Sequence, residues 1–174
     1  DGEDVGGRSG IVKNLLTVRE AAEKDVGEIH RLLEIYAAKA VVLSRSEEDI
    51  RFYLGNFVVG EIDSKVRGCV AVRDFGNDLL EVRSLVVEPG FQGKGIGRAL
   101  VEAVISGLKV RRGSWRLFTL TYQSEFFSRL GFRVVDRQLF PEKIWSDCAK
   151  CPKHACCDEI AMLLEYPQKE AGQR

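Results

Sequence analysis

The chain has 174 residues, with 26 Lys and Arg against 26 Asp and Glu, so its formal net charge is zero. That balance offers no bulk attraction to nucleic acid or to an anionic bilayer. Apolar residues make up 45% and charged residues 30% of the sequence, the mix of a globule with a single core. No apolar run approaches the ~18 residues that span a bilayer. Neither nucleic acid nor a membrane is therefore an expected partner.

The first ten residues, DGEDVGGRSG, are polar and glycine-rich and read as a flexible tail, as do residues 168–174. A single domain is expected over 11–167. Leu15 to Arg19 reads as a short strand. Between Asp25 and Ala40 the apolar residues Val26, Ile29, Leu32, Leu33 and Tyr36 recur at helical spacing. Ser46 with Asp49 resembles a capping box and opens a short helix reaching about Leu54. Phe57 to Ile62 reads as a strand turned by DSK. Val66 to Arg73 and Leu79 to Val87 read as two more strands, joined into an antiparallel hairpin by the turn residues DFGND.

A helix follows over Gly97 to Lys109, with Leu100, Val101, Val104, Ile105 and Leu108 on one face. Arg116 to Thr121 is a strand, and Ser124 to Leu130 a short helix stopped by Gly131. Arg133 to Val135 and Ile160 to Tyr166 complete the set. The order β-α-α-β-β-β-α-β-α-β-β predicts an α/β (α+β) fold. It has a mixed, mostly antiparallel central sheet of about six to seven strands flanked by about four helices.

The chemistry concentrates in Gln92-Gly93-Lys94-Gly95-Ile96-Gly97, followed by Arg98, at the start of the long helix. A helix start leaves amide groups without intrahelical partners and carries a partial positive charge. Glycines let the preceding backbone turn its own amides toward the same point. The result is a cradle for a phosphate or diphosphate, to which the Gln92 and Arg98 side chains add contacts. The spacing is not that of a P-loop, since no Ser or Thr follows Lys94. It is not the dinucleotide fingerprint either, since Arg98 stands where the third glycine belongs. A glycine-rich turn that merely packs a helix on a strand is the plain alternative.

The segment Leu79 to Leu108 resembles the cofactor motif of the GNAT acyl-CoA N-acyltransferase superfamily, whose loop pattern Q/R-x-x-G-x-G/A is met at every fixed position. FFSRLGF, Phe126 to Phe132, resembles the motif that follows it there. The resemblance extends over roughly Leu15 to Val135. It implies the GNAT fold, with the sheet splayed between the fourth and fifth strands and acetyl-CoA as co-substrate held in the opening. It further implies that Leu85, Val86 and Val87 pair with the pantetheine arm through their main chain. A free amide there would polarise the thioester carbonyl. The loop residues would hold the diphosphate, and the short helix with Ser124 and Phe127 would lie along the cofactor's other side.

Direct transfer needs a neutral amine, so a base near the acceptor helps. Glu81 is the candidate base, two and four residues from Arg83 and Leu85 and expected on the same strand face; a solvated glutamate paired with an arginine is the alternative. The tyrosine that serves the family as general acid is replaced here by Phe127. The leaving thiolate would then take its proton from Tyr122 or from water.

FTLTYQSEFFSRLGF and LSRSEED also resemble stretches of N-acetylglutamate synthases, implying L-glutamate as acceptor. Two acceptor carboxylates call for guanidinium forks, and Arg45 and Arg83 are the candidates; each is otherwise an exposed surface arginine. As such a synthase the chain would be a short form without a kinase-like domain ahead of it. Another amine acceptor, or a domain that binds acetyl-CoA without turnover, is the alternative function. The resemblance also allows a homodimer.

Cys148, Cys151, His154, Cys156 and Cys157 crowd into ten residues beside Lys143, Trp145 and Lys150. Zinc, a disulfide and reduced packing cysteines all stay open for them, and no metal ligand is assigned. A reducing interior, the cytoplasm in first place and an organelle in second, is the expected setting.

Overall fold

The computed structural model describes residues 15–140 and 158–168. Seven strands form one sheet in the order β1-β2-β3-β4-β5-β7-β6. They are β1 (Leu16–Glu20), β2 (Phe57–Ile62), β3 (Lys65–Asp74), β4 (Leu79–Val87), β5 (Trp115–Thr121), β6 (Arg133–Val134) and β7 (Ile160–Tyr166). Four α-helices flank them: α1 (Val26–Ala37), α2 (Glu47–Phe52), α3 (Ile96–Arg111) and α4 (Ser124–Arg129). All neighbouring strands run antiparallel except β4 and β5, which are parallel and joined through α3. This is the expected mixed sheet with its elements in the expected order. No helix among the described residues is long and apolar enough to cross a membrane.

The ends of several elements depart from the periodic reading. The first helix stops at Ala37 and not Ala40, because Ala40 takes a left-handed conformation at φ 56° that no helix accommodates. Ser46 caps α2 as expected, its hydroxyl accepting from the Asp49 amide at 3.1 Å. That helix then gives way to a 3-10 turn over Leu54–Asn56. The long helix begins one residue early, at Ile96, with Gly95 as its N-cap at φ 82°.

The two faces of the sheet carry different partners. On one face α3, α4 and the turn after α4 bury Leu100, Val101, Val104, Phe127 and Phe132 against Val70, Leu80, Val82 and Leu117. On the other, α1 and α2 bury Ile29, Leu32, Leu33 and Ile50 against Phe57, Val59, Cys69, Ala71 and Val86. A third cluster packs Phe140 on Phe118, with ring centroids 4.1 Å apart, beside Leu79, Ala161 and Leu163. Cys69 lies fully buried, and burial pushes its thiol up to about 12. The start of α1 is tied to β1 by Asp25, which accepts from the Arg19 guanidinium at 2.7 and 2.8 Å and from the Ala22 amide at 2.7 Å.

The strand alternation changes inside β4. Ser84 sits at φ 54°, and the β3–β4 register moves from Ala71 opposite Arg83 to Cys69 opposite Val86. Val70 alone therefore spans Ser84 and Leu85, a bulge that reverses which face each later residue meets. Leu80 and Val82 pack on the α3 side, and so do Leu85 and Val87. Glu81 and Arg83 share the other face with Ala71 and Val86. The expectation that Leu85 shares the face of Glu81 is thus corrected: one left-handed residue between them turns it over.

Two stability outcomes follow from these contacts. A Cβ at Gly68 would lie 2.9 Å from Ile96 Cγ2 and 3.1 Å from the Val86 carbonyl oxygen. Gly68→Ala should therefore cost about 1–3 kcal/mol in urea unfolding by lifting the first turn of α3 from the sheet. Hydrogen bonds from Arg19 chiefly hold the Asp25 carboxyl below its usual range, against the opposing effect of burial. A lowered folded-state pKa contributes stability above the unfolded value and loses it as pH falls. Asp25→Asn should thus cost about 2–3 kcal/mol at neutral pH, a deficit that shrinks as pH drops below about 4.

Candidate active site

The site begins where β4 and β5 part. Their parallel ladder holds only three pairs, Leu79 with Arg116, Leu80 with Leu117 and Glu81 with Phe118. The Thr119 hydroxyl then donates to the Val82 carbonyl at 3.1 Å. Beyond that, β5 pairs only with β7, and the outer half of β4, past the bulge, faces an opening. The sheet is thus split between the fourth and fifth strands.

At the mouth of the opening lies the glycine loop. Gly90, Gly93 and Gly95 all adopt positive φ, at 90°, 76° and 82°, conformations that glycine alone reaches without strain. The Phe91 amide donates to the Glu88 carbonyl at 2.9 Å, and the Ala99 amide to the Gly95 carbonyl at 3.0 Å. Apart from the turn over Gln92–Gly93, which aims the Lys94 amide at the Phe91 carbonyl, the main-chain amides from Gln92 to Arg98 donate to no main-chain carbonyl among the described residues. Several undonated amides thus gather at the positive end of a sixteen-residue helix, the kind of place that suits an anion.

The side chains of the loop have separate duties. Ile96 is buried against Gly60 and Gly68, so it offers the cradle only its amide. Lys94 lies 4.9 Å from the centre of the Phe91 ring, with the Arg67 guanidinium 4.3 Å from the same ring. Arg98 donates to Glu102 at 2.8 Å. Gln92 donates to the Tyr36 hydroxyl at 2.6 Å. Just before the loop, burial works against ionisation of Glu88, but hydrogen bonds from Arg67 and Arg31 hold its carboxyl below the usual range.

On the opposite face, at the apex of the opening, stands Glu81. It belongs to the last β4–β5 pair and is 4% exposed, so it is not a solvated strand carboxylate. Arg83 Nη2 lies 3.9 Å from its Oε2. Arg73 is the cross-strand partner of Glu81 on β3 and shares its face. The sequence reading did not single out Arg73; the period-two series Cys69, Ala71, Arg73 carried the signal. Arg45 lies on the same side of the sheet. Its guanidinium is 5.0 Å from the Phe57 ring and its Nε donates to Asp49 at 2.6 Å. The Arg45 carbonyl is held by His30 Nδ1 at 2.9 Å. Phe57 pairs with Ala71, and Ala71 with Arg83, so Arg45 and Arg83 are two strands apart. Neither is fully exposed: their side chains are 14% and 22% accessible.

Tyr122 directly follows β5, across the opening from Leu85–Val87, and is 42% exposed. Ser124 opens α4. Phe127 is buried, its ring edge-on to Phe126 and Phe132. Phe126 is the ring that reaches the loop, 3.6 Å from a Cβ position at Gly97. Val86 is buried toward α1, whereas Leu85 and Val87 face α3. The cysteine and histidine cluster at 148–157, together with Lys143, Trp145 and Lys150, lies outside the described residues. Among the described residues no group of three His, Cys, Asp or Glu side chains is placed to hold a metal.

Comparison with known proteins agrees with this geometry. Residues 53–134 match the family described as Acetyltransferase (GNAT) domain. An uncharacterized N-acetyltransferase of Chlorobaculum tepidum is 42% identical over 84% of this chain and 94% of its own. An amino-acid acetyltransferase of Mycobacterium tuberculosis is 36% identical over 68% of this chain and 69% of its own. A Mycobacterium tuberculosis protein solved in complex with CoA superposes with a TM-score of 0.72 at 29% identity, covering 85% of this chain and 98% of that one. The N-acetylglutamate synthase of Neisseria gonorrhoeae, solved with coenzyme A and N-acetyl-glutamate, shares the fold at a TM-score of 0.78 and 24% identity. This chain spans 36% of that protein's length and is itself covered over 88%. The split sheet, the glycine loop and these relatives together establish that the chain belongs to the GNAT family of acetyltransferases.

Proposed function

We propose that this protein transfers the acetyl group of acetyl-CoA to the amino group of L-glutamate by direct attack in a ternary complex. Acetyl-CoA brings an acyl group already activated as a thioester. The undonated amides of the glycine loop fit its diphosphate, and the open edge of Leu85–Val87 fits its amide-bearing arm. The cofactor-bound relatives support this choice.

The observation that carries the choice of acceptor is the basic face around Glu81. Arg83 lies beside that buried carboxylate, Arg73 stands opposite it on β3 with its guanidinium over the Phe75 ring, and Arg45 sits over Phe57 on β2. An acidic amino acid brings two carboxylates, each matched by a guanidinium fork, and one ammonium group, matched by a carboxylate. A polyamine or a lysine side chain would meet like charge there. Glu81 takes one proton from the ammonium group, the freed nitrogen forms the C–N bond as the C–S bond breaks, and the new amide nitrogen gives its second proton to water. Tyr122, at the end of β5, or a water molecule returns a proton to the thiolate. Arg83 and Arg45 bind the acceptor carboxylates, and Arg73 holds the field positive between them. A relative named as an amino-acid acetyltransferase supports an amino acid as the acceptor.

The test is release of free CoA in the presence of a panel of amino acids and polyamines. L-Glutamate is expected to give turnover. Glu81→Gln should lower kcat by about 10²–10⁴ with little change in KM. Arg83→Ala should raise the glutamate KM by about 10–100-fold. Turnover with cationic acceptors and none with acidic ones would overturn the glutamate assignment. Tight acetyl-CoA binding with no turnover on any amine would instead make the domain a sensor, the outcome favoured by the absence of a proton donor at Phe127.

A further inference from the structure

The peptide unit that joins Val87 to Glu88 shows which way the end of β4 faces. The Glu88 amide donates to the Arg67 carbonyl at 2.7 Å, toward β3. In a trans peptide the carbonyl of the same unit points the opposite way, so the Val87 carbonyl faces the opening between β4 and β5. The Tyr36 hydroxyl, from the last turn of α1, donates to that carbonyl. The same hydroxyl accepts from Gln92 Nε2 at 2.6 Å. One oxygen thus joins three parts of the site: the helix leading to the Arg45 connector, the edge of the cleft, and the first residue of the glycine loop. Its donor and acceptor capacities are both used, which fixes the Gln92 side chain and the end of β4 relative to each other.

From this junction, and resting on the acetyl-CoA reading above, we infer that Tyr36 is a positioning residue for the cofactor. It holds Val87 and Gln92 so that the loop amides and the open strand edge address one ligand together. Tyr36 acts through Gln92 and Val87 and need not touch the reacting atoms. Its ring belongs to the core under α1, so helical periodicity reads it as a packing residue and hides the role of its hydroxyl. Tyr36→Phe keeps the ring and removes only the junction.

The experiment is calorimetric titration of the whole chain with CoA, for the native protein, Tyr36→Phe, Gln92→Ala and the double variant. Each single variant should bind CoA about tenfold more weakly. The double variant should be no more than about twofold weaker than either single, because both act through one oxygen. In steady state, Tyr36→Phe should raise the acetyl-CoA KM and leave kcat near its native value. CoA affinity of Tyr36→Phe within about twofold of native, or losses that multiply in the double variant, would overturn the assignment. So would a melting midpoint lowered by more than about 5 °C, since the hydroxyl would then serve the fold. A native protein that does not bind CoA would sink the cofactor reading itself, which separates the two failures.

Discussion

The structure is organised around an interruption. A β-sheet is stable because each strand satisfies the hydrogen-bonding groups of its neighbours, and a buried strand edge left open is costly. Here β4 and β5, in the middle of a seven-stranded sheet, pair for three residues and then separate. Ser84, in a left-handed conformation, turns the outer half of β4, and β5 satisfies its remaining length against β7 alone. Main-chain groups in the heart of the sheet are thereby left facing a cleft instead of a neighbour. The cleft, the loop at its mouth and the carboxylate at its apex take their positions from this parting.

The bulge also sorts the chemistry. Residues before and after Ser84 change faces, so that Leu85 and Val87 line the side of α3 and the glycine loop, while Glu81 and Arg83 face α1 and α2. Anion-binding amides gather on one side of the opening and guanidinium groups around a buried carboxylate on the other. The two kinds of group thus occupy opposite faces and come together only at the apex. Gly68 supports the arrangement from beneath, since its missing side chain lets Ile96, the first residue of α3, rest against the strand. The cradle is in this way referenced to the core and not to a loose connection.

Much of this was legible in the residues. The helices and strands follow from apolar periodicity, and the anion cradle from glycines at every second position before an amphipathic helix. What alternation cannot express is a single residue that breaks it. Ser84 carries no composition signal for a left-handed conformation, so the face of Leu85 was misassigned. Arg73 was visible as a member of a period-two series but gained meaning only once Glu81 was found opposite it. Tyr36 read as a core position because its ring is one; its hydroxyl depends on a contact with Val87, fifty-one residues away. Phe127 shows the converse. Its identity was informative about the missing proton donor, while its ring lies in the core and Phe126 reaches the loop.

The three-pair ladder has a mechanical consequence as well. β2, β3 and β4 form one local meander and β5, β7 and β6 another patch, and the seam between them is the shortest junction in the middle of the sheet. Helix α3 and the Thr119 hydroxyl brace it, but little backbone bonding crosses it. A ligand that bonded to the edge of β4 while resting against α4 would serve as a removable strand, stitching the two patches together. Occupancy and stability of the fold would then be coupled, since whatever bonds across the seam stabilises the folded chain in step with its affinity and concentration.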